Sequence, residues 1–313
     1  MGYRKRSSGP PDFVRGWRYR SADALKALTP IAARRWLVRK RLQTRQLTSG
    51  RRLLPDFLII GAQRGGTSSL YKYLGRHPDV APSLRKEVGY FTSNYRMGET
   101  WYRSHFPLAL RGVVHGRFRG VRLHSFEATP DYLFDPRVPH RAADLLPYAK
   151  LVVLLRNPVD RAFSHYLHMR RLGFEDLSFE AALDAEPERI GPDLESILVN
   201  PDHPSKAWGR YSYVERGKYA DHLRAWLTHY PHKQLLVVRS EDLFTDTSGT
   251  MAEIVHHLQL ARWSPPFFEN HSYTTTQPDR ITMQPKTRAH LRSVFAPHNQ
   301  DLSVLLGRDM GWD

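Results

Sequence analysis

Cysteine is absent from the 313 residues. That excludes a disulfide framework, thiolate metal sites and a thiol nucleophile, and it fits a reducing compartment. No apolar run approaches the roughly 18 residues a membrane-spanning helix requires, so a soluble or peripheral protein is expected. Acidic side chains are scarce at one end. Residues 1 to 52 hold fifteen basic side chains against two acidic ones, Asp12 and Asp23, whereas the remaining 261 residues carry 32 basic and 29 acidic. The chain is therefore a near-neutral body with a cationic arm. Nucleic acid is not an expected partner of the arm.

What is present divides at about residue 52. In the arm, Leu25, Leu28, Ile31, Ala32, Trp36 and Leu42 stand among Arg34, Arg35, Arg39, Lys40, Arg41 and Arg45. A basic helix over Ala24 to Leu47 that contacts an anionic membrane or an anionic polymer is one expectation; a solvated, partly disordered leader is the other. From residue 53 to 313 short apolar runs alternate with helical periodicity, which predicts a single α/β domain with a mainly parallel sheet between helical layers. Phe57–Ile60, Leu151–Leu155 and Leu235–Val238 read as buried strands. Helices are expected through Leu70, Tyr73 and Leu74, from about Val159 to Arg171, along Tyr219, Leu223, Trp226, Leu227 and Tyr230, and along Met251, Ile254, Val255 and Leu258. Residues 173 to 217, acidic and proline-bearing, read as a partly helical insertion over one end of the sheet.

The first strand runs into Gly61-Ala62-Gln63-Arg64-Gly65-Gly66-Thr67-Ser68 and then a helix, the setting in which backbone N–H groups close around a phosphate. The loop almost fits GxxxxGK[ST], but Thr67 occupies the lysine position and its one cation is Arg64. The second strand ends in Arg156, where a nucleotide triphosphatase commonly has a magnesium-binding Asp. Arg156, with Arg161 and Ser164 on the following helix, offers guanidinium and hydroxyl donors for a second anion. Two such sites at adjacent strand ends suit a nucleotide with phosphate at both ends of its ribose.

Two segments carry a family resemblance. Phe57-Leu-Ile-Ile-Gly-Ala-Gln-Arg-Gly-Gly-Thr-Ser-Ser-Leu70 resembles the 5′-phosphosulfate loop, and Leu155-Arg-Asn-Pro-Val-Asp-Arg-Ala-Phe-Ser-His-Tyr166 the 3′-phosphate motif, of sulfotransferases that use 3′-phosphoadenosine 5′-phosphosulfate (PAPS). The branch it resembles most contains the heparan sulfate N- and 3-O-sulfotransferases, and the likeness runs from about Asp56 to Asp313. Looser matches are Lys86-Glu87-Val88-Gly89-Tyr90-Phe91, similar to K-E-x-x-[FY]-F, and Glu127-Ala128-Thr129-Pro130-Asp131-Tyr132, similar to E-K-[ST]-P-x-Y. Ala128 stands where the glycosaminoglycan enzymes have lysine, which departs from a heparan-like acceptor. Lys286-Thr287-Arg288 falls where the family has a K-G-R loop over the nucleotide.

The resemblance implies a P-loop-like three-layer fold and sulfuryl transfer from PAPS to a hydroxyl, or less readily an amine, of a carbohydrate or glycolipid, without metal. Arg64, Gly65, Gly66, Thr67, Ser68 and Ser69 would hold the 5′-phosphosulfate. Arg156 and Ser164 would read the 3′-phosphate, and Lys286 and Arg288 would close over the nucleotide. Arg64 would neutralise the leaving phosphate, and Glu87 would be the general base. His168, which falls on one helical face with Arg161, Ser164 and His165, would assist a proton step; a packed bystander is the alternative. For Glu87 the alternative is a surface carboxylate paired with Lys86 or Arg85, and for Lys286 and Arg288 solvated charge. Golgi relatives carry a membrane anchor, so a bacterial-type cytoplasmic enzyme is the expected comparison. The competing classes are a P-loop kinase or NTPase and a non-catalytic binder of anionic polymer.

Overall fold

The computed structural model describes residues 31–312 apart from 201, 205, 264, 266, 267 and 269–280. The first thirty residues of the basic arm, including the start of its expected helix, lie outside the described residues. Five strands, β1 Phe57–Gly61, β2 Val80–Pro82, β3 His124–Ala128, β4 Lys150–Leu155 and β5 Leu235–Arg239, form one sheet in the order β2-β3-β1-β4-β5. Every pairing is parallel, with Phe57 opposite both Phe126 and Lys150. The helices in chain order are α1 Ile31–Gln46, α2 Thr67–Leu74, α3 Gly98–Arg103, α4 Ala109–Arg119, α5 Val138–Leu145 and α6 Pro158–Arg171. They continue with α7 Phe179–Asp184, α8 Glu186–Val199, α9 Lys206–Tyr211, α10 Tyr219–Leu227, α11 Ser240–Thr245, α12 Thr247–His257 and α13 Pro285–Leu306.

The period of two along a strand sorts each apolar run onto both faces. Leu58 and Ile60 of β1 join Leu151, Val153 and Leu155 of β4 under Tyr219, Leu223 and Trp226 of α10. Phe57 and Ile59 join Val152 and Leu154 on the opposite face, against Leu70 and Leu74 of α2 and Ile254 and Val255 of α12. Two apolar cores on either side of one sheet make the three-layer architecture. Each fully buried large side chain contributes roughly 1.5–3 kcal/mol.

The three expected strands are present, and β2 and β3 are additional. β2 is three residues long and ends in a proline at the sheet edge; β3, His-Ser-Phe-Glu-Ala, carries a carboxylate in its middle. Both patterns read as loop in a sequence, because proline and charge are depleted in strands. Residues 173–217 are more helical than their composition suggests. α7, α8 and α9 all fall in this segment, and Pro192 lies inside α8. The end of the basic arm docks on the body: Arg45 donates from Nε to Ser104 O and from Nη2 to Phe106 O, both at 2.5 Å, and Leu42 and Arg52 are buried. No helix among the described residues is long and apolar enough to cross a membrane.

Strand order places the site. The chain leaves β1 toward the β2 edge but leaves β4 toward β5 on the other side. A crevice therefore opens outside the carboxyl ends of β1 and β4, where α/β sheets bind ligands.

Candidate anion-binding and transfer site

The loop after β1 is pinned by its own backbone. The N–H of Ala62 donates to Leu154 O at 2.7 Å and that of Gly65 to Ala62 O at 2.9 Å, while the Ser240 hydroxyl donates to Gly65 O. A Cβ on Gly65 would lie 2.6 Å from Leu154 O, and Gly66, the N-cap of α2, has φ 94°. Only glycine fits either demand. The N-cap has no side-chain hydrogen bond, so the N–H groups of Thr67 and Ser68 are left for an incoming anion, while that of Ser69 donates to Gly66 O at 3.0 Å. Thr67 and Ser69 are buried, and Ser68 is half-buried.

Arg64 itself adopts φ 69°. Its Nε donates to Ser164 Oγ at 2.9 Å, so the loop cation and the α6 hydroxyl singled out in the sequence meet. Arg156 follows β4 directly and donates from Nη1 to Arg64 O at 3.4 Å. The Arg156 backbone is held on both sides: its C=O accepts from Tyr219 OH at 2.8 Å, and the next N–H, of Asn157, donates to Glu241 Oε1 at 2.9 Å. The Asn157 side chain caps α6 by accepting from the N–H groups of Val159 and Asp160, and Pro158 opens that helix. Burial lowers the pKa of Arg64, and the neighbouring charges of Arg171 and Arg156 lower it further. No carboxylate among the described residues pairs with Arg64, Arg156 or Arg171. Three cations left together in this way form a donor set for an anion.

The α6 face expected to line the site divides in two. Ser164 and His168 are half-buried beside Arg64, but Arg161 and His165 are wholly buried. Arg161 donates from Nη2 to the Tyr213 carbonyl and is held down to a pKa of about 10 by burial. Arg161 therefore supports the helix from within and does not face a second anion. Burial, followed by the charges of Arg64 and Arg171, lowers the pKa of His168; Glu87 acts in the opposite sense. Arg171 Nη2 lies 2.9 Å from His168 Nδ1. A guanidinium can only donate, so Nδ1 accepts and the proton of neutral His168 sits on Nε2.

Glu87 stands at the rim of the crevice, with its N–H donating to Ala128 O at 2.9 Å at the end of β3. Its side chain is 59% exposed and pairs with Lys86 Nζ at 2.6 Å. It has φ 60°, and Arg64, Glu87 and Gln259 are the non-glycine residues with positive φ among those described. Two of these three strained positions belong to the candidate site. The Glu87 loop is set by Glu127, which is fully buried on β3. Glu127 accepts from Tyr102 OH at 2.7 Å, Tyr132 OH at 2.9 Å and Thr129 Oγ1 at 2.9 Å, and Thr129 Oγ1 in turn accepts from Gly89 N–H. Burial raises Glu127 to about 6 against the pull of those hydroxyls. Ala128 packs into the core with Phe57 and Phe126, so the end of β3 sends no cation into the crevice.

Lys286, Thr287 and Arg288 lie in the first turn of α13 and not in a loop. Lys286 is exposed, Thr287 donates to Glu180 Oε1 at 2.7 Å, and Arg288 pairs with Asp160 at 2.9 Å. Arg288 is thus tied to the start of α6, and neither cation joins the Arg64 cluster through a hydrogen bond.

The structure adds a residue that motif reading passed over. Arg216 is buried and donates from Nη1 to Asp131 Oδ1 at 2.7 Å and Gln63 Oε1 at 3.1 Å, and from Nη2 to Gly209 O at 2.9 Å. Its guanidinium lies 3.7 Å from the Phe134 ring centroid. One side chain thereby joins the phosphate loop, the segment after β3 and the insertion. The only sequence signal was an Arg-Gly pair ahead of α10, which is too short to read.

Sheet order, a glycine-built loop at a helix N-terminus and an unpaired cation cluster define a P-loop-like anion-binding α/β protein. The chain belongs to the sulfotransferase family: residues 54–276 match the model described as "Sulfotransferase domain". It is 29% identical over 285 residues to mouse (Mus musculus) heparan sulfate glucosamine 3-O-sulfotransferase 3B1, a match covering 85% of this chain and 66% of that protein. It is 30% identical over 287 residues to mouse heparan sulfate glucosamine 3-O-sulfotransferase 6, covering 84% of this chain and 75% of the relative. Among solved structures, a sulfotransferase from Alicyclobacillus acidocaldarius shares 31% identity with a TM-score of 0.60, covering 82% of this chain and 98% of the other.

Proposed function

We propose that the chain transfers a sulfuryl group from PAPS to a hydroxyl of a carbohydrate acceptor. The observation that carries this reading is the cluster of Arg64, Arg156 and Arg171 at the ends of β1 and β4, without a carboxylate partner among the described residues. The donor set fits a nucleotide with two phosphate groups: the α2 N-terminus and Arg64 hold the 5′ end, and Arg156 and Ser164 hold the 3′ end. In transfer, the bond from sulfur to the 5′-phosphate oxygen breaks and one to the acceptor oxygen forms. Arg64 and the first-turn N–H groups of α2 then meet the charge that grows on the departing phosphate. Glu87 takes the acceptor's proton, and His168 Nε2–H donates to an oxygen of the group in flight. Lys286 and Arg288 close the nucleotide side from α13.

The heparan sulfate relatives support a sugar acceptor, while the buried Ala128 leaves out a cation that the resemblance places there. In the same reading the chain is cytoplasmic, and the arm, residues 1 to 52, makes electrostatic contact with an anionic membrane where a glycolipid acceptor would lie. A kinase or NTPase reading gains nothing from the site, since Arg64 is the loop's cation and Arg156 follows β4 directly.

The direct test is transfer of labelled sulfate from PAPS to a panel of oligosaccharides and glycolipids. Arg64→Ala is expected to lower kcat/KM by about 100-fold or more. Glu87→Gln is expected to lower kcat by about 100-fold with binding of 3′,5′-adenosine bisphosphate unchanged. Equal loss of binding and turnover would make Glu87 a binding residue.

A further inference from the structure

α4 is inverted relative to an ordinary surface helix. None of its residues is buried, and Leu110, Val113 and Phe118 are 66%, 67% and 82% exposed. With Val114 these side chains fall at i, i+3, i+4 and i+8, one continuous outward stripe. The opposite face is held to the body by glycines and polar groups: Gly112 approaches Leu53, while His115 and Arg119 both reach Asp79 Oδ1, at 3.0 and 2.8 Å. The flanking Leu108 and Val121 are exposed as well. Residues 107–122 contain no acidic side chain. Arg111 and Arg117 are exposed and pair with no carboxylate among the described residues.

We infer that this face docks the protein on a bilayer containing anionic phospholipid. Exposed leucine, valine and phenylalanine favour the acyl boundary, and arginines along the same stripe favour anionic headgroups. An acidic polysaccharide would use the arginines and leave the apolar groups in water. A second copy of the chain would bring like charges together. The neighbouring surface has the same character: the Arg52 to Leu108 bridge sets the start of α4 beside the segment that follows α1. On α1 itself Trp36 and Leu37 are exposed among Arg39, Lys40 and Arg41, and residues 24–55 contain no acid. The inference extends the arm's proposed membrane contact to the folded body and does not depend on the transfer reaction.

The test is co-sedimentation of the full chain with mixed phosphatidylserine–phosphatidylcholine vesicles and with phosphatidylcholine alone, at ~0.15 M salt. The wild type is expected to bind the mixed vesicles and not the neutral ones. Val113→Asp/Phe118→Asp is expected to weaken that binding about tenfold or more with an unchanged melting temperature, since both sites are exposed. Three results would overturn the inference: no vesicle binding by the wild type, undiminished binding by the double variant, or a wild-type dimer in sedimentation equilibrium that the double variant converts to monomer.

Discussion

Arg64 and Ser164 are 100 positions apart in the chain and meet through one hydrogen bond. Both were legible because each sits in a motif with its own strand-to-helix context. Arg216 was not, because its importance comes from three partners that only the tertiary fold assembles. Its guanidinium fork serves Asp131, Gln63 and Gly209 at once, and lysine keeps the charge but cannot fork. Arg216→Lys is therefore expected to weaken binding of 3′,5′-adenosine bisphosphate about tenfold, or ~1.4 kcal/mol, through a displaced Gln63–Arg64 segment. A lowered melting temperature with unchanged nucleotide affinity would reduce Arg216 to structural support. The same limit applied to Arg161. Its place on a helical face with Ser164 suggested a ligand contact, whereas the fold buries it completely, with Nη2 donating to the Tyr213 carbonyl.

Elements were legible where apolar pattern and glycine placement agreed. β1, β4, β5, α2, α6 and α10 stand close to their expected positions for that reason. β3 escaped notice because Glu127 breaks its apolar run, a break that three hydroxyl groups make good. The β1–α2 loop yields a paired comparison. Gly65→Ala pushes a Cβ to 2.6 Å from Leu154 O, whereas a Cβ on Gly116 in α4 comes no closer than 3.8 Å, to Val121 O. Gly65→Ala is expected to abolish nucleotide binding and lower stability, while Gly116→Ala gains about 0.5–1 kcal/mol through helix propensity. Thermal melting with and without nucleotide checks both, and a stable, binding-competent Gly65→Ala would contradict the loop's role.

α8 carries Glu186, which is buried, accepts from the N–H groups of Val214 and Glu215, and is raised to about 7 chiefly by burial. The fold therefore prefers its protonated form. That contribution is fully present below pH 4.5 and is lost as pH rises through about 7. Wild-type stability relative to Glu186→Gln is expected to fall between pH 5 and about 7.5, by at most ~3 kcal/mol. Parallel melting curves for the two proteins across that range would show that Glu186 does not titrate in the fold.

At the scale of the whole molecule, strand order turns local motifs into a site. Strands β1 and β4 are 92 residues apart when counted from Arg64 to Arg156, yet the order β2-β3-β1-β4-β5 makes them neighbours with diverging exits. The sequence contained both anion motifs, but their adjacency depends on long-range pairing that no local pattern encodes. The charge division was legible in the same partial way. Composition marked a cationic arm, but docking of Arg45 and Arg52 on residues 104–108 carries that charge onto the body.

The central claim is that Arg64 and Arg156 hold opposite ends of one bisphosphate nucleotide. Calorimetric titration of the 313-residue chain with 3′,5′-adenosine bisphosphate, against ATP with magnesium, tests it most directly when repeated on Arg64→Ala and Arg156→Ala. The bisphosphate should bind at least about 100-fold tighter than magnesium ATP, and each substitution should cost tenfold or more. Equal affinity for the two nucleotides, or undiminished bisphosphate binding by Arg156→Ala, would contradict it.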